Sequence, residues 1–293
     1  MPVCLIKEYS ILQHFEDINS IRKALKPFWD SKRTVGLIPT MGALHDGHMS
    51  LLRQAKKECD VVVVTIFVNP TQFNNSGDLA NYPRTIDEDL ALLREENCDF
   101  VFLPTVEEVY PEDYENIKVD LSPIDEVMEG VHRPGHFDGV ANVVSRFFKI
   151  IEPQKAYFGR KDFQQVTVVE ETARQLNLPV EIVPVETLRA SNGLALSSRN
   201  KRLSEDELEK ASIIYKTLNY GKELVSQTSP RDALNKMKAY FENSSLELEY
   251  LDIVDPKSLE PLNQYWVPGT TACIAAFCGE VRLIDNMELV PND

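Results

Sequence analysis

The sequence has 293 residues, enough for one large domain or two smaller ones, and 43% of them are hydrophobic, which suffices for a folded core. A formal net charge of −15 disfavours nucleic acid and anionic membranes as partners, but it allows a small anion to bind a local cluster of basic residues. No apolar stretch approaches the roughly 20 residues that a membrane span requires, and the first residues lack the pattern of a signal peptide. The five cysteines are scattered without a CxxC pair, which suits a reducing cytoplasm.

Apolar spacing predicts alternating helices and strands over the first two thirds of the chain. Residues 1–30 are a predicted helical lead-in, with apolar side chains at helical spacing from Ile18 to Phe28. The predicted strands are 35–38, 61–68, 100–103, 156–158 and 180–185, and the predicted helices between them are 49–59, 86–96, 140–151 and 163–176. This alternation predicts an α/β fold with a Rossmann-like, doubly wound parallel sheet, in which ligands bind at the carboxyl ends of the strands.

The last third of the chain has a different pattern. After Ser204, which begins a capping-box sequence, we predict helices at about 205–225 and 230–243. Strand-like segments follow at 246–254, 271–277 and 281–284. The sequence therefore predicts two domains: a larger one over residues 1–187, and a smaller α+β domain over residues 188–293 that covers the active site.

Residues 39–48, PTMGALHDGH, lie between the first predicted strand and the helix after it. A helix start offers unpaired backbone N–H groups and a positive dipole end, so it attracts an anion. His45 and His48 fall on one face of the first turn and add donors. The pattern alone is more typical of a helix cap beside a surface histidine than of a catalytic site. A zinc site is a further alternative, although the usual spacing and additional ligands are missing.

Two other segments provide groups for the same ligand. Residues 159–162 turn a strand into a helix and contain Gly159, Lys161 and Asp162, while residues 196–199 contain two hydroxyl groups and a guanidinium. Each segment alone is typical of an ordinary turn or hinge. Together with the histidines they supply the donors and cations that would hold a triphosphate.

Seven segments in order along nearly the whole chain carry a resemblance to a known family. They are PTMGALHDGH (39–48), FVNPTQF (67–73), YPRT (82–85), RPGHFDGV (133–140), FGRKDFQQ (158–165), GLALSSRN (193–200) and RLIDN (282–286). The chain resembles the pantoate–β-alanine ligases, the pantothenate synthetases, which belong to the nucleotidyltransferase superfamily with an HxGH motif. Arg160 departs from the usual pattern, in which glutamate is frequent, and would add positive charge beside the phosphates.

The resemblance implies a ligase with a two-step reaction. The carboxylate of pantoate attacks the α-phosphate of Mg·ATP, giving pantoyl adenylate and pyrophosphate. The amine of β-alanine then attacks the adenylate, releasing pantothenate and AMP. The partners implied are these small substrates, with Mg²⁺ accompanying ATP, and a second copy of the chain in a homodimer, whereas nucleic acid and membranes are not expected.

The resemblance also implies roles for individual residues. The implied catalytic residues are His48, His45 and Lys161. Those implied to bind ATP are Met41, Gly42, Ala43, Leu44, His45, Asp46, Gly47, His48, Gly159, Arg160, Lys161, Asp162, Leu188, Leu196, Ser197, Ser198 and Arg199. Those implied to bind pantoate or β-alanine are Gln72, Gln165, Arg133 and His136, and Asp89, with Glu88 second, is expected to contact Mg²⁺.

Two other functions remain possible from the sequence. Another nucleotidyltransferase of the HxGH superfamily would share the corner at 39–48 but has no need for the paired glutamines. A nucleotide-binding module without catalysis is expected to have lost Lys161, a histidine or the Ser-Ser-Arg string, and all of these are present.

Overall fold

The computed structural model describes residues 12–73 and 76–292, so the predicted lead-in over residues 1–11 lies outside the described residues. The larger sheet has six parallel strands in the order β1-β4-β3-β2-β5-β6. Its strands are β1 (Gln13–Phe15), β2 (Val35–Thr40), β3 (Val61–Ile66), β4 (Phe100–Phe102), β5 (Lys155–Gly159) and β6 (Glu181–Val185).

Helices cover both faces of this sheet. In chain order they are α1 (Ile18–Asp30), α2 (Asp46–Glu58), α3 (Ser76–Ala80), α4 (Ile86–Glu95), α5 (Val106–Val109), α6 (Glu129–His132), α7 (His136–Ile151) and α8 (Phe163–Gln175). Val61 and Val63 of β3 join a core that includes α1, α7 and α8, whereas Val62 and Val64 join the core beneath α2 and α4. This two-sided burial explains why the strand sequence is an uninterrupted apolar run.

A smaller antiparallel sheet, in the order β7-β8-β9, lies in the last third of the chain. Its strands are β7 (Glu247–Val254), β8 (Thr271–Cys278) and β9 (Val281–Glu288), and its helices are α9 (Glu205–Ala211), α10 (Ile213–Leu224) and α11 (Pro230–Phe241). These elements share a separate hydrophobic core that includes Ile214, Leu218 and Phe241. The predicted fold class, a doubly wound parallel sheet with a smaller α+β unit, is confirmed.

Some elements differ from the prediction. Strand β1 pairs in parallel with β4 at the edge of the sheet, although its residues were predicted to be part of the helical lead-in. Three residues are too few to show a strand period, so only the pairing partner reveals it. The predicted helix over 205–225 is divided at Ser212 into α9 and α10, and β9 extends four residues beyond its predicted end at 284.

The strand order places a crevice at the carboxyl ends of β2 and β5. The chain runs outward from β2 through β3 to β4 on one side, and from β5 to β6 on the other. The two neighbouring strands therefore send their connections in opposite directions, which is the switch point where open α/β sheets bind ligands. Among the residues that the structure describes, no helix combines the length and apolar character needed to cross a membrane.

Candidate active site

A cavity of about 220 Å³ opens at this crevice. Residues of the three segments 39–48, 159–162 and 196–199 line it, together with a glutamine from the loop after β3. The predicted site residues in its walls are Met41, His45, Gly47, His48, Gln72, Gly159, Lys161, Asp162, Gln165, Leu188, Leu196, Ser197, Ser198 and Arg199. The fold thus brings to one place groups that are far apart in the sequence.

The backbone of the corner after β2 has positive φ angles, 80° at Gly42 and 50° at Ala43. Glycine adopts such angles without strain, whereas alanine needs support from its surroundings. Asp89 on α4 provides that support, because its carboxylate accepts hydrogen bonds from the N–H groups of Ala43 (2.9 Å) and Leu44 (2.7 Å). Asp89 therefore fixes the corner from which α2 starts.

The predicted contact of Asp89 with Mg²⁺ stays a prediction, and the structure gives its carboxylate hydrogen bonds within the protein. The side chain is 1% exposed, and Oδ1 also accepts a hydrogen bond from the hydroxyl of Thr85 (3.2 Å). Its oxygens are engaged by the protein and have little capacity left for a metal ion. Glu88, the second predicted ligand, is exposed and is not among the residues that line the cavity. Within the described ranges, no group of three histidine, cysteine or acidic side chains is arranged to hold a metal.

The two histidines cap helix α2 and line the cavity at the same time. Nδ1 of His45 accepts the N–H of Gly47 (3.1 Å), and Nδ1 of His48 accepts the N–H of His45 (3.3 Å). A neutral imidazole whose Nδ1 is an acceptor carries its proton on Nε2. The helix-cap interpretation is therefore compatible with the functional one, because each ring keeps an Nε2–H donor.

Both imidazoles are neutral near pH 7. Desolvation, followed by the charges of Lys161 and Lys201, lowers the pKa of His45 to about 4. Desolvation, followed by the charges of His45 and Lys161, lowers the pKa of His48 to about 3. The corner consequently offers directional hydrogen bonds from its histidines, and its positive charge comes from other residues.

The neutral pair is expected to weaken the fold as the pH falls from 6.5 towards about 4. The unfolded chain binds protons at both histidines below their ordinary pKa of 6.5, while the native chain keeps them neutral. Protons thus favour the unfolded state in this window, and the free energy of unfolding decreases as pH decreases. Urea titrations of the wild type and of His48→Asn measure this, and the variant should show the shallower decrease. Equal pH dependence in the two proteins would contradict a neutral, buried His48.

The turn after β5 brings a lysine into the cavity. Gly159 ends the strand, and a 3₁₀ turn over Arg160–Asp162 leads into α8. The side chain of Lys161 is 17% exposed, and its Nζ lies 3.4 Å from Oδ1 of Asp162. Lys161 therefore places a cation in the wall of the cavity.

Arg160 does not point into the cavity, although the sequence predicts that it contacts ATP. Its guanidinium pairs with Glu186 at 2.5 Å and with Glu288 at 3.3 Å, and Arg160 is not among the lining residues. The two carboxylates neutralise the charge that was expected beside the phosphates. Four other predicted ATP residues, Gly42, Ala43, Leu44 and Asp46, also lie outside the cavity walls, in the corner and at the start of α2.

Gly159→Ala is expected to weaken ATP binding without changing stability. Gly159 has an ordinary φ of −72°, and an added Cβ would meet nothing within 4 Å, so the protein without ligand tolerates alanine. If the nucleotide approaches the backbone at Gly159, the added methyl group displaces it. The loss of about one hydrogen bond corresponds to about a 10-fold rise in KM for ATP. ATP titrations and urea unfolding measure the two effects. An unchanged KM would show that the nucleotide does not approach Gly159.

Gln72 reaches the cavity from a 3₁₀ turn after β3. Asn69 donates a hydrogen bond to its Oε1 (3.1 Å), and its own Nε2 lies 3.1 Å from Sδ of Met41. Helix α7 can approach this turn closely because Gly139 has no side chain: a Cβ there would lie 2.5 Å from the carbonyl oxygen of Thr71. The position of the Gln72 amide is therefore determined by packing as well as by hydrogen bonds.

Gln165 on α8 lines both the main cavity and a smaller one of about 50 Å³ beside it. Arg133 and His136, the other residues predicted to bind substrate, line the smaller cavity. Nδ1 of His136 lies 2.8 Å from the carbonyl oxygen of Gln72 and donates to it, and burial lowers the pKa of His136 to about 4. The predicted substrate residues are thus divided between two adjoining spaces.

The segment 196–199 connects the corner to the second unit. Ser197 accepts the N–H of Arg199 (3.3 Å), and Ser198 donates from its hydroxyl to the carbonyl oxygen of Ala43 (3.1 Å). Leu188 is 40% exposed, and its carbonyl oxygen accepts the N–H of Leu196 (3.0 Å). These hydrogen bonds hold the backbone beside the cavity.

Sequence reasoning did not identify a buried ionic cluster beside the smaller cavity. Both Nη atoms of Arg282 donate to Glu129 (2.9 and 2.7 Å), which also accepts the hydroxyl of Tyr250 (2.9 Å) and Nη1 of Arg133 (3.3 Å). Arg282 begins one of the segments that carry the resemblance, so a signal existed for it. Glu129 lies outside all seven segments, and nothing in its sequence neighbourhood indicates its importance.

Asn69 and Tyr82 line the main cavity and were not predicted either. Both stand in segments that carry the resemblance, so the sequence contained a signal for them. Tyr82 is hydrogen-bonded to Ser198, and burial raises the pKa of its hydroxyl, so the phenol stays protonated. These two side chains add neutral polar groups to the walls.

The chain is similar in sequence to known proteins over nearly its whole length. The family model described as pantoate-beta-alanine ligase matches residues 13–288. The pantothenate synthetase of Porphyromonas gingivalis is 45% identical over 280 residues, covering 94% of this chain and 99% of the relative. The pantothenate synthetase of Thermosipho africanus is 42% identical over 275 residues, covering 93% and 98%.

Solved structures agree with the sequence comparison. The crystal structure of pantothenate synthetase from Thermus thermophilus matches with a TM-score of 0.90 at 42% identity, covering 95% of this chain and 100% of the other. Pantoate-beta-alanine ligase from Francisella tularensis, complexed with beta-gamma ATP and beta-alanine, matches with a TM-score of 0.77 at 32% identity, covering 95% and 98%. The resemblance inferred from the seven segments is confirmed, and the chain belongs to the pantoate-beta-alanine ligase family.

Proposed function

We propose that the chain joins pantoate to β-alanine and converts ATP into AMP and pyrophosphate. Membership of the family makes the chain a ligase. One observation carries the proposal for its reaction: His45, His48 and Lys161 line a single cavity at the switch point of the sheet, although they stand on two different strand-to-helix turns. Such donors and a cation suit a nucleotide triphosphate.

In the first step, an oxygen of the pantoate carboxylate attacks the α-phosphorus of ATP, and the bond to pyrophosphate breaks. Negative charge builds up on the α-phosphate oxygens during this attack. In this proposal the Nε2–H groups of His45 and His48 donate to that charge, and Lys161 adds a full positive charge. Because both imidazoles are neutral, His48 acts here as a hydrogen-bond donor.

Gln72 and Gln165 are proposed to orient pantoate for this attack. A primary amide both donates and accepts, which matches a substrate that carries two hydroxyl groups and a carboxylate. Both side chains line the main cavity from different elements, Gln72 after β3 and Gln165 on α8. Pantoate held between them would stand near the α-phosphate end of the nucleotide site.

In the second step, the amine of β-alanine attacks the carbonyl carbon of pantoyl adenylate. The bond to the phosphate oxygen breaks, AMP leaves, and the nitrogen loses a proton. The smaller cavity adjoins the main one through Lys161, Asp162 and Gln165, and Arg133 lines it. We assign Arg133 to the carboxylate of β-alanine, since a guanidinium recognises a carboxylate in a planar geometry.

Magnesium is proposed to enter with ATP as part of the substrate, bound to phosphate oxygens and water. Asp89 instead supports the corner through the backbone of Ala43 and Leu44, as described above. The second unit, residues 188–293, is proposed to cover the site, because Ser198 contacts the corner directly. Exclusion of water would protect the adenylate from hydrolysis.

A homodimer and a cytoplasmic location are also proposed. The family resemblance supports the dimer, and sedimentation equilibrium tests it. The four described cysteines, Cys59, Cys98, Cys273 and Cys278, are unpaired, which supports a reducing compartment.

The decisive assay supplies pantoate, β-alanine and Mg·ATP, and measures pantothenate together with AMP or ADP. The proposal expects AMP as the co-product and exchange of labelled pyrophosphate into ATP that requires pantoate. Exchange that is indifferent to pantoate would instead support another nucleotidyltransferase of the superfamily. No reaction with any of the three substrates would support a nucleotide-binding module.

A further inference from the structure

Strand β9 contacts the lysine turn from the side of the smaller sheet. Asn286 is 8% exposed, and its Nδ2 lies 2.8 Å from the carbonyl oxygens of both Arg160 and Lys161. Because both partners are acceptors, the amide must present its NH₂ group to them, and both of its N–H donors are used. One side chain thus holds two consecutive peptide groups of the turn.

Apart from the ion pairs of Arg160 with Glu186 and Glu288, no side chain among the described residues caps the turn. Neither Gly159 before it nor Asp162 at the start of α8 makes a side-chain capping hydrogen bond. A lysine side chain is long and has many rotamers, so the reach of its Nζ depends on where its own peptide group is held. Errors of about 1 Å in such positions are costly for a reaction.

Asn286 is itself held in place by a buried ion pair. Its N–H donates to Oδ1 of Asp285 (2.8 Å), and its carbonyl oxygen accepts from Nη2 of Arg189 (3.1 Å). The guanidinium of Arg189 also binds both oxygens of Asp285 (2.6 and 3.1 Å), and Asp285 is 4% exposed. The contact to the lysine turn therefore comes from a rigid part of the smaller sheet.

We propose that Asn286 is a positioning residue for adenylation. It holds the peptide groups of Arg160 and Lys161 so that the ammonium of Lys161 stands in the ATP cavity. Asn286 lines the smaller cavity and not the main one, so it acts on ATP through Lys161. The inference rests on the proposed function, and it gives a role to segment 282–286, which the reaction steps above do not use.

The test separates the two half-reactions in Asn286→Ala and in Asn286→Leu, which fills the volume without a donor. The rate of adenylation is measured by rapid quench. It should fall at least about 10-fold in both variants because Lys161 is displaced. Asn286 also lines the smaller cavity that is assigned to β-alanine, so aminolysis of supplied pantoyl adenylate is measured beside adenylation. Because aminolysis does not involve the triphosphate, its loss should be several-fold smaller than the loss of adenylation. Asn263→Ala, an exposed asparagine of the same unit, is the matched control and should leave both rates unchanged.

A double-mutant cycle tests whether the effect passes through the lysine. The affinity for a non-hydrolysable ATP analogue is measured by calorimetry in Asn286→Ala, Lys161→Met and the double variant. If Asn286 acts through Lys161, its replacement should change the affinity little once Lys161 is already methionine, so the two effects are not additive.

Three results would overturn the inference: an equal loss of both half-reactions, which indicates a general structural role; unchanged adenylation in both variants; or fully additive effects in the cycle. Urea unfolding of each variant identifies a folding defect. If Asn286→Ala has such a defect, the rates of Asn286→Leu, which fills the volume, decide the test. Failure of the proposed function is distinct, because the wild type itself would then show no pantoate-dependent exchange.

Discussion

His48→Asn is expected to slow the adenylation of pantoate by about 10²–10³-fold. Asparagine keeps an acceptor near the position of Nδ1, so the hydrogen bond from the N–H of His45 can persist. It has no group at the position of Nε2, so the donor that faces the developing phosphate charge is lost. Loss of one donor of this kind typically removes transition-state stabilisation without unfolding the protein.

His48→Gln provides the complementary variant. The amide nitrogen of glutamine can reach the position of Nε2, but the N–H of His45 then lacks its acceptor. We therefore expect the rate of adenylation in this variant to lie between the rates of the wild type and of His48→Asn. His14→Asn, at an exposed histidine of β1, is the control and should keep the wild-type rate. The rate of pantoyl adenylate formation by rapid quench measures all three. A rate near that of the wild type in His48→Asn would show that the cap matters and the donor does not.

Glu129→Ala is expected to lower the free energy of unfolding by about 3–5 kcal/mol. Glu129 is 6% exposed and accepts hydrogen bonds from Arg282, Arg133 and Tyr250. Removing the carboxylate leaves Arg282 with Glu249 as its remaining counterion and takes the acceptor from the buried hydroxyl of Tyr250 and from Nη1 of Arg133. Breaking a buried ionic cluster in this way costs far more than breaking an exposed ion pair. Urea unfolding measures the loss. Glu280→Ala, in the exposed turn between β8 and β9, should change stability by no more than about 0.5 kcal/mol.

The lowered pKa of Glu129 also leads us to expect a loss of stability in acid. Burial opposes ionisation, but the hydrogen bonds and charge of Arg282 outweigh it and lower the pKa of Glu129 from 4.5 to about 2. The stability due to the ionised carboxylate is complete above pH 4.5 and is lost as the pH falls towards about 2. Across that window the wild type should lose more unfolding free energy than Glu129→Gln. Parallel pH profiles would mean that the carboxylate is not preferentially ionised in the native state.

The sequence predicted the positions of the catalytic segments because each stands at the boundary between a strand and a helix. The apolar run at Val61–Val64 indicated a strand buried on both faces, and the histidine corner after β2 indicated an anion site. Both signals are local, since they depend on the spacing of side chains within about ten residues. The resemblance then assigned chemistry to these positions, which periodicity alone could not do.

Other residues have contacts that the sequence did not reveal because their partners are distant in the sequence. Asp89 was expected at a metal, yet its carboxylate supports Ala43 and Leu44, more than 40 residues away. Arg160 was expected beside the phosphates, and its guanidinium pairs with Glu186, which lines the main cavity, and with Glu288. An isolated charge in a sequence does not reveal which opposite charge the fold will bring to it.

By itself, then, the sequence determined the fold class, the order of strands and helices, the family and the three segments around the cavity, because local periodicity and motifs specify these. Only the tertiary structure decided the neutral state of His45 and His48, the second cavity with Arg133, and the supporting contacts of Glu129 and Asn286. Burial sets the pKa values, and packing between two sheets sets the contacts. Both depend on elements that approach one another only after the chain has folded.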